Sequence, residues 1–248
     1  MGREVVVSVK NMVKAFGSFH AVDDISFEVY KGEIFGFLGA NGAGKTTAMK
    51  MLTGLWKPTR GEAMVAGLDV YRDTEQIKRK IGYMSQKFSL YADLTVKENI
   101  VLFGGIYGLS NQVIKNKTED LLNRLGLASE SNTLIESLPL GWKQKLAFSV
   151  AMLHDPEIIF LDEPTGGVDP ITRRQFWDMI YEASDADKTL FVTTHYMDEA
   201  EYCDRISMMV NGRIAALGTP DELKTAFDAG DMDDVFVGIA REGKTMNA

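Results

Sequence analysis

One run of eight residues, Gly39–Thr46, has the residue types and spacing of a loop that binds phosphate. Its sequence, GANGAGKT, fits G-x-x-x-x-G-K-[ST] and lies between a strand-like and a helix-like segment. Glycines let backbone N–H groups curl around phosphate oxygens, and the following helix start adds positive potential. Lys45 is expected to reach the β- and γ-phosphates, and the Thr46 hydroxyl to ligate Mg²⁺. The residues expected to contact the nucleotide here are Gly39, Asn41, Gly42, Ala43, Gly44, Lys45, Thr46 and Thr47.

A pair of acids, Asp162 and Glu163, follows the apolar run Ile158–Leu161. Such a run is typical of a buried strand, and ligands bind where parallel strands end at their carboxyl edge. Asp162 suits Mg²⁺, directly or through water, and Glu163 is a candidate general base for an attacking water. Together with the phosphate loop, the pair indicates a P-loop NTPase. The sequence contains no N-K-x-D guanine signature, which argues against a GTPase.

Strands and helices that would position these residues alternate along most of the chain. This alternation predicts an α/β fold with a mainly parallel sheet, and early strands joined by turns predict an added antiparallel part. The predicted strands are Val5–Lys10, Ile25–Tyr30, Glu33–Leu38, Gly61–Gly67, Ile81–Met84, Ile158–Leu161, Thr189–Thr193, Ile206–Val210 and Arg213–Leu217. The predicted helices are Lys45–Leu52, Thr74–Lys80, Thr95–Tyr107, Asn111–Leu125, Gly141–Leu153, Pro170–Ala183 and Met197–Cys203.

Composition narrows the classes of protein that these motifs could serve. The 248 residues carry a formal net charge of −8, which disfavours a protein whose main partner is nucleic acid. A single cysteine, Cys203, excludes an internal disulfide framework and suits a reducing compartment. No segment approaches the ~20 uninterrupted apolar residues of a membrane span, and the N-terminus lacks the apolar region of a signal peptide. We therefore expect a cytoplasmic protein whose membrane contacts run through a partner.

The order of these motifs along the chain resembles an ATP-binding cassette (ABC) ATPase. The resemblance rests on the phosphate loop, Gln86, Leu138–Leu146, the acid pair, Gly166–Asp169 and His195, and it covers nearly the whole chain. It implies one ABC ATPase domain over residues 1–248, with a helical subdomain at about residues 87–153 and a core joined to an antiparallel β subdomain. The implied cofactors are ATP and Mg²⁺.

The stretch Leu138–Trp142 is similar to the family's signature L-S-G-G-Q but departs from it. Leu138 and Gly141 match, while Pro139, Leu140 and Trp142 replace the serine, the first glycine and the glutamine. In the family this helix start faces the γ-phosphate of an ATP bound by a second cassette, so the resemblance implies a dimer with Gly141 near the partner's nucleotide. A proline is tolerable at a helix start because N–H groups there are unpaired anyway. The lost serine predicts weaker closure, and a helix start that contacts nothing is the alternative.

Four further positions carry over from the resemblance. Gln86 resembles the glutamine that senses Mg²⁺ and water, and His195 resembles the switch histidine that contacts the γ-phosphate. Asp169 resembles the acid of the loop that crosses the dimer. Phe16 occupies the position of the aromatic residue that stacks on adenine, where tyrosine is commoner. Glu163, Gln86 and His195 are thus the expected catalytic residues, and Thr46, Gln86 and Asp162 the expected metal-binding residues.

Three segments resemble the ABC-2 type exporter branch of the family, which handles drugs and polysaccharides. They are Phe88–Asn99, Tyr196–Glu201 and Asp233–Val237. The resemblance implies an integral membrane permease of ABC-2 type as partner, a place on the cytoplasmic face of the membrane, and a second cassette, either a copy of this chain or the other half of a tandem. Leu90 and Tyr91 are expected to be exposed contacts for the permease, with ordinary helical core as the alternative.

Two other functions remain open from the sequence. A soluble cassette that acts on ribosomes or DNA is one, although the segment between the phosphate loop and the signature shows no sustained heptads. A degenerate cassette that binds ATP with little turnover is the other, and Pro139 and Leu140 are its main support.

Overall fold

A computed structural model describes residues 3–87 and 90–245 of the chain. Among them, no helix has both the length and the apolar character needed to cross a membrane. The strands are β1 (Val5–Phe16), β2 (Phe19–Tyr30), β3 (Ile34–Leu38), β4 (Arg60–Val65), β5 (Leu68–Asp69), β6 (Ile81–Met84), β7 (Ile158–Asp162), β8 (Thr189–Thr194), β9 (Arg205–Val210) and β10 (Arg213–Gly218). The α-helices are α1 (Lys45–Leu52), α2 (Thr74–Lys80), α3 (Val96–Ile106), α4 (Asn111–Arg124), α5 (Leu140–Ala151), α6 (Pro170–Asp185), α7 (Pro220–Ala226) and α8 (Met232–Thr245).

A six-stranded sheet in the order β10-β9-β3-β8-β7-β6 forms the centre of the fold. Its strands run parallel except for the β9–β10 hairpin, so the predicted mainly parallel sheet is confirmed. Every residue of β3, β7 and β8 is buried. Burial on both faces explains why β3 and β7 are almost continuously apolar, while β8 has an apolar centre between threonines. Leu38 pairs with Thr194, and Asp162 with Thr193. The register therefore brings the phosphate loop, the acid pair and His195 to one edge of the sheet.

The antiparallel sheet has the order β2-β1-β4-β5 and is larger than the sequence predicts. Strands β1 and β2 each run for 12 residues, continuing to Phe16 and from Phe19. Register shifts, one of them between Val9 and Met12, interrupt the regular pairing. These irregularities interrupt the alternation of buried and exposed side chains along each strand. A prediction based on that alternation therefore misses the outer part of β1 and β2. The extension carries Phe16 out to the tip of the sheet.

A helical region with α3, α4 and α5 separates β6 from β7. Thr95 caps α3 and exchanges hydrogen bonds with Glu98 in a capping box. Short 3-10 helices occur at Ile135–Ser137 and Met197–Tyr202, the second where a short helix is predicted. Helices α7 and α8 are absent from the sequence-based prediction. The boundary of the helical subdomain at residues 87–153 stays a prediction.

The expected exposure of Leu90 is wrong, whereas that of Tyr91 agrees with the structure. Leu90 is 6% exposed and belongs to the core that also holds Val96 and Ile100. Tyr91 is 51% exposed. The turn that ends at Thr95 explains the difference, because the buried Asn99 side chain accepts from the Tyr91 N–H and donates to the Tyr91 carbonyl. Phe88 and Ser89, from the same predicted contact segment, lie outside the described residues.

Candidate functional site

The phosphate loop joins the end of β3 to the start of α1, and two of its glycines are required by close backbone packing. Gly39 has φ +153°, and a Cβ added there would lie 2.3 Å from the Met209 carbonyl oxygen. Gly44 has φ +107°, and its Cβ would lie 2.3 Å from the Ala21 carbonyl oxygen. Any side chain at either position would displace neighbouring backbone. The loop is thereby packed closely between β9 and β2.

Lys45 is buried at the start of α1 and folds back over the loop. Its ammonium donates to the carbonyl oxygens of Gly39 at 2.8 Å and Ala40 at 3.2 Å. It also lies 3.5 Å from a carboxylate oxygen of Glu163. Burial lowers the pKa of Lys45, and the nearby Glu163 carboxylate opposes that shift. The ammonium thus stands where an anionic phosphate would be strongly attracted.

Asp162 is the last residue of β7 and lies beside the Thr46 hydroxyl, the other oxygen ligand predicted for Mg²⁺. Thr46 Oγ1 donates to Asp162 Oδ1 at 3.1 Å, and Thr193 Oγ1 donates to the same oxygen at 2.7 Å. Burial raises the pKa of Asp162, while the hydroxyl hydrogen bonds act in the opposite direction. Thr193 is absent from the predicted site residues, although its place two residues before His195, at the end of a buried strand, is a usable signal.

The donor set fits Mg²⁺ held jointly with a nucleotide. Thr46 and Asp162 supply oxygen atoms, which Mg²⁺ prefers. Gln86 is held at the same site by its hydrogen bond to Glu163. Within the described part of the chain, no cluster of three or more His, Cys, Asp or Glu residues could hold a metal alone. Mg²⁺ commonly keeps water and phosphate oxygens among its ligands, so a one-carboxylate site matches its chemistry.

Glu163 is the point at which the predicted catalytic residues meet. Gln86 Nε2 donates to Glu163 Oε2 at 2.9 Å, and His195 Nδ1 lies 3.2 Å from the same oxygen. The Glu163 backbone has φ +49°, an uncommon conformation for a residue with a side chain. Its N–H donates to both the carbonyl and the hydroxyl oxygen of Thr193, at 3.1 and 3.0 Å. This strained backbone directs the carboxylate toward Lys45, Gln86 and His195.

A cleft of about 430 Å³ is lined by Lys45, Gln86 and Glu163 at one end and by aromatic side chains at the other. Phe16 lies there, as the resemblance implies, and is 48% exposed. Trp56 packs edge-on against Phe16, with ring centroids 5.6 Å apart. Sequence reasoning does not single out Trp56, and no local pattern around it indicates a ligand. The residues that line the cleft are Phe16, Phe19, Ala21, Asn41, Gly42, Gly44, Lys45, Thr46, Thr47, Trp56, Gln86 and Glu163.

The divergent signature forms a separate cavity. Helix α5 begins at Leu140, and Pro139 is its N-cap with φ −57° and no side-chain capping bond. A Cβ added to Gly141 would lie 2.5 Å from the Thr172 methyl carbon, so this glycine permits close packing of α5 on α6. The cavity of about 300 Å³ has none of its lining residues in common with the phosphate cleft. Its lining residues are Pro139, Leu140, Gly141, Trp142, Lys145, Gly167, Val168, Asp169, Thr172 and Gln175.

Asp169 has a role within its own chain as the N-cap of α6. Its carboxylate accepts from the N–H groups of Ile171 and Thr172, both at 3.0 Å, and from the Thr172 hydroxyl at 2.6 Å. These hydrogen bonds, with the Thr172 hydroxyl foremost, lower the pKa of Asp169. The structure therefore places Asp169 beside Gly141 but away from the cleft that holds Lys45.

Comparison with known proteins identifies the family. A model described as ABC transporter matches residues 22–166 of the chain. The chain belongs to the ABC transporter family. It is 48% identical over 221 residues to the probable multidrug ABC transporter ATP-binding protein YbhF of Escherichia coli (strain K12), covering 89% of this chain and 38% of that protein. It is 36% identical over 219 residues to the linearmycin resistance ATP-binding protein LnrL of Bacillus subtilis (strain 168), covering 88% of this chain and 70% of LnrL.

Solved structures agree with this membership of the ABC family. An ATP-binding subunit of an ABC transporter matches with a TM-score of 0.85 and 28% identity, covering 95% of this chain and 99% of the other. A dimeric post-hydrolysis state of the ATP-binding cassette MJ0796, bound to ADP and Pi, matches with a TM-score of 0.77 and 26% identity, covering 86% and 98%. The chain is thus an ABC ATPase cassette. It spans about two fifths of the length of YbhF.

We predict that Thr193→Val lowers turnover in this ABC cassette, because it removes one hydrogen bond from Asp162 and one from the Glu163 N–H. Loss of a group that orients a metal ligand typically costs about 10- to 100-fold in activity or metal affinity. ATPase rates measured across a Mg²⁺ titration test this, and both the rate and the apparent Mg²⁺ affinity should fall.

Thr189→Val is the matched control, since Thr189 lies at the other end of β8 and accepts from the Gly32 N–H at 2.9 Å. Both variants should lose about 1 kcal/mol of unfolding free energy, but only Thr193→Val should lose activity. Equal ATPase rates in the two variants would contradict the role given to Thr193.

Proposed function

We propose that this cassette hydrolyses ATP to drive an ABC-2 type membrane exporter. One observation carries the proposal: Lys45, Gln86 and His195 converge on the Glu163 carboxylate in the cleft that contains the phosphate loop. A carboxylate with an ammonium, an amide and an imidazole around it can accept a proton from water while the ammonium stabilises phosphate charge. YbhF and LnrL are named as ATP-binding proteins of multidrug and resistance type, which supports an export role.

In the proposed reaction, a water molecule attacks the γ-phosphorus of ATP and ADP leaves. Glu163 accepts the proton of the attacking water, which Gln86 helps to orient. Lys45 and His195 hold the γ-phosphate oxygens, on which charge is spread in the transition state. Thr46, Asp162 and Gln86 would hold Mg²⁺, which neutralises charge on the β- and γ-phosphate oxygens. Phosphate and ADP are the products, and Glu163 returns its proton to solvent.

The separation of the two cavities supports a dimer. Gly141 and the start of α5 line a cavity that holds neither Lys45 nor Glu163. Within one chain, the N–H groups at this helix start therefore do not face the bound phosphate. We propose that they cap the nucleotide of a second cassette, either a copy of this chain or the other half of a tandem. Asp169 would approach the partner in the same dimer, because it lines the same cavity as Gly141.

The proposed membrane partner is a permease of ABC-2 type at the cytoplasmic face. Of the two expected permease contacts, Tyr91 remains the candidate because it is exposed, whereas Leu90 is buried. The alignment covers 38% of YbhF, as expected if the cassette is part of a longer polypeptide. It covers 70% of LnrL, as expected if the cassette is a separate subunit. No nucleic acid enters this proposal, in keeping with the net charge of −8.

Glu163→Gln is predicted to retain ATP binding and to lose hydrolysis. The amide keeps the size of the side chain but cannot accept the proton, and loss of a general base costs about 10²- to 10⁴-fold. Steady-state ATPase assays and size-exclusion chromatography with MgATP should show lost turnover and a longer-lived dimer. Glu157→Gln changes an exposed glutamate just before β7 and should leave both unchanged. Normal turnover in Glu163→Gln would remove this residue from the role of base.

The double change Pro139→Ser, Leu140→Gly is predicted to raise ATPase activity. It restores a backbone N–H, a hydroxyl and a small residue at the helix start, and one added hydrogen bond of about 1 kcal/mol corresponds to roughly fivefold. Pro139→Ala restores the N–H without the hydroxyl and separates the two contributions. Activity that stays level or falls in the double variant would refute the idea that the lost serine weakens closure.

Export itself is tested in the host with the full-length protein. Disruption of its gene should raise the cellular accumulation of some member of a panel of fluorescent drugs, and the wild-type gene should restore efflux. The Lys45→Ala gene should fail, because the phosphate ligand is missing, while Glu157→Gln should succeed. Sedimentation of the protein with ribosomes instead of membranes, with unchanged drug accumulation, would favour the soluble cassette function.

A further inference from the structure

Three exposed aromatic side chains line the same cleft as the phosphate loop. Phe16 is 48% exposed, Phe19 63% and Trp56 38%. Large apolar side chains are costly to leave in water, and a cluster of them at the rim of a cleft marks a ligand-binding surface. Phe16 alone accounts for the adenine contact that the family resemblance implies. Phe19 and Trp56 are left without a role in the reaction described above.

Trp56 is held in place by backbone hydrogen bonds at both ends of its loop. Its N–H donates to the Lys50 carbonyl at 2.9 Å, which ties the residue to the end of α1. On the other side, the Thr59 N–H donates to the Val13 carbonyl at 2.7 Å, and the Thr59 hydroxyl accepts from the Ala15 N–H at 3.0 Å. The loop that carries Trp56 is therefore fastened to β1, the strand that carries Phe16.

The two rings also contact each other and share a cation. Phe16 and Trp56 meet edge-on, with an interplanar angle of 76° and centroids 5.6 Å apart. The Lys14 ammonium lies 5.3 Å from the Phe16 centroid and 6.0 Å from that of Trp56, and it donates to the Lys57 carbonyl at 2.7 Å. The Lys50 ammonium lies 4.6 Å from the Trp56 ring. These cation–π contacts hold the indole against its neighbour before any ligand binds.

We propose that Trp56 is a second nucleobase-binding residue, which packs against the base together with Phe16. This rests on the nucleotide site proposed above and adds a contact that the family resemblance does not supply. The aromatic end of the cleft consists of Phe16, Phe19, Trp56 and the small Ala21, within the described part of the chain. Because the rings of Phe16 and Trp56 stand at 76° to each other, a purine that stacks on one ring meets the other ring along its edge. Apolar ring contacts of this kind discriminate little between bases. The contact therefore contributes equally to adenine and guanine nucleotides.

Binding of ADP, GDP and tripolyphosphate to Trp56→Ala tests this inference. Loss of one aromatic contact should weaken both nucleotides about five- to tenfold, while tripolyphosphate, which has no base, should bind as it does to wild type. Trp56→Phe keeps a ring and should lose less. Leu55→Ala is the matched control, because Leu55 is 49% exposed in the same loop and does not line the cleft. It should bind all three ligands normally.

Unchanged ADP affinity in Trp56→Ala would overturn the inference, as would a loss confined to one purine. An equal loss for tripolyphosphate would do the same, because it would assign Trp56 to the phosphate end or to folding. If wild type bound none of the three ligands, the proposed function itself would fail, which keeps the two failures distinct.

Tryptophan fluorescence provides a second readout that does not depend on the stability of an alanine variant. Trp177 is buried, and neither it nor Trp142 lines the phosphate cleft. ADP should therefore change the emission of wild type, and tripolyphosphate should not. The change should disappear in Trp56→Phe. A full ADP response in Trp56→Phe would overturn the inference.

Discussion

The contact between the Lys45 ammonium and the Glu163 carboxylate is the interaction on which the rest of the site depends. Both groups are nearly removed from water, and their charged atoms lie 3.5 Å apart. Burying two charges costs several kcal/mol per ion unless each finds good partners. The structure supplies them: two loop carbonyls accept from Lys45, while an amide and an imidazole contact Glu163. The fold thus places a cation and a base side by side where a phosphate can separate them.

This arrangement exists because the carboxyl ends of β3, β7 and β8 meet at one edge of the sheet. Each strand is buried throughout, and the groups of the site come at its carboxyl end: the phosphate loop after β3, the acid pair at the end of β7, and His195 after β8. The β7–β8 register sets Asp162 opposite Thr193, and the Thr193 hydroxyl then links Asp162 to the Glu163 backbone. One residue of slip would turn these groups to the other face.

Sequence alone predicts what local chemistry determines. Helix α1 and strand β6 have the predicted bounds, because the phosphate-loop motif and a short apolar run mark their ends. The approach of Gln86 and His195 to Glu163 follows from the resemblance and from the order of strands, and the structure brings these residues together. Contacts between segments that are distant in sequence have no motif or periodic pattern that would predict them. Trp56 meets Phe16 only because a loop after α1 is fastened to β1, and Leu90 is buried by a turn whose hydrogen bonds come from Asn99.

The divergent signature gives α5 a start whose capping differs from that of α6. Pro139 has the backbone geometry of a helix N-cap but makes no side-chain capping bond, so no side chain caps the first N–H groups of α5 within the described residues. Asp169 instead uses its carboxylate to cap the start of α6, where it accepts from two backbone N–H groups. Two helix starts therefore border one cavity, and only that of α5 has N–H groups free of side-chain caps. The positive end of α5 is consequently the one that can face an anion.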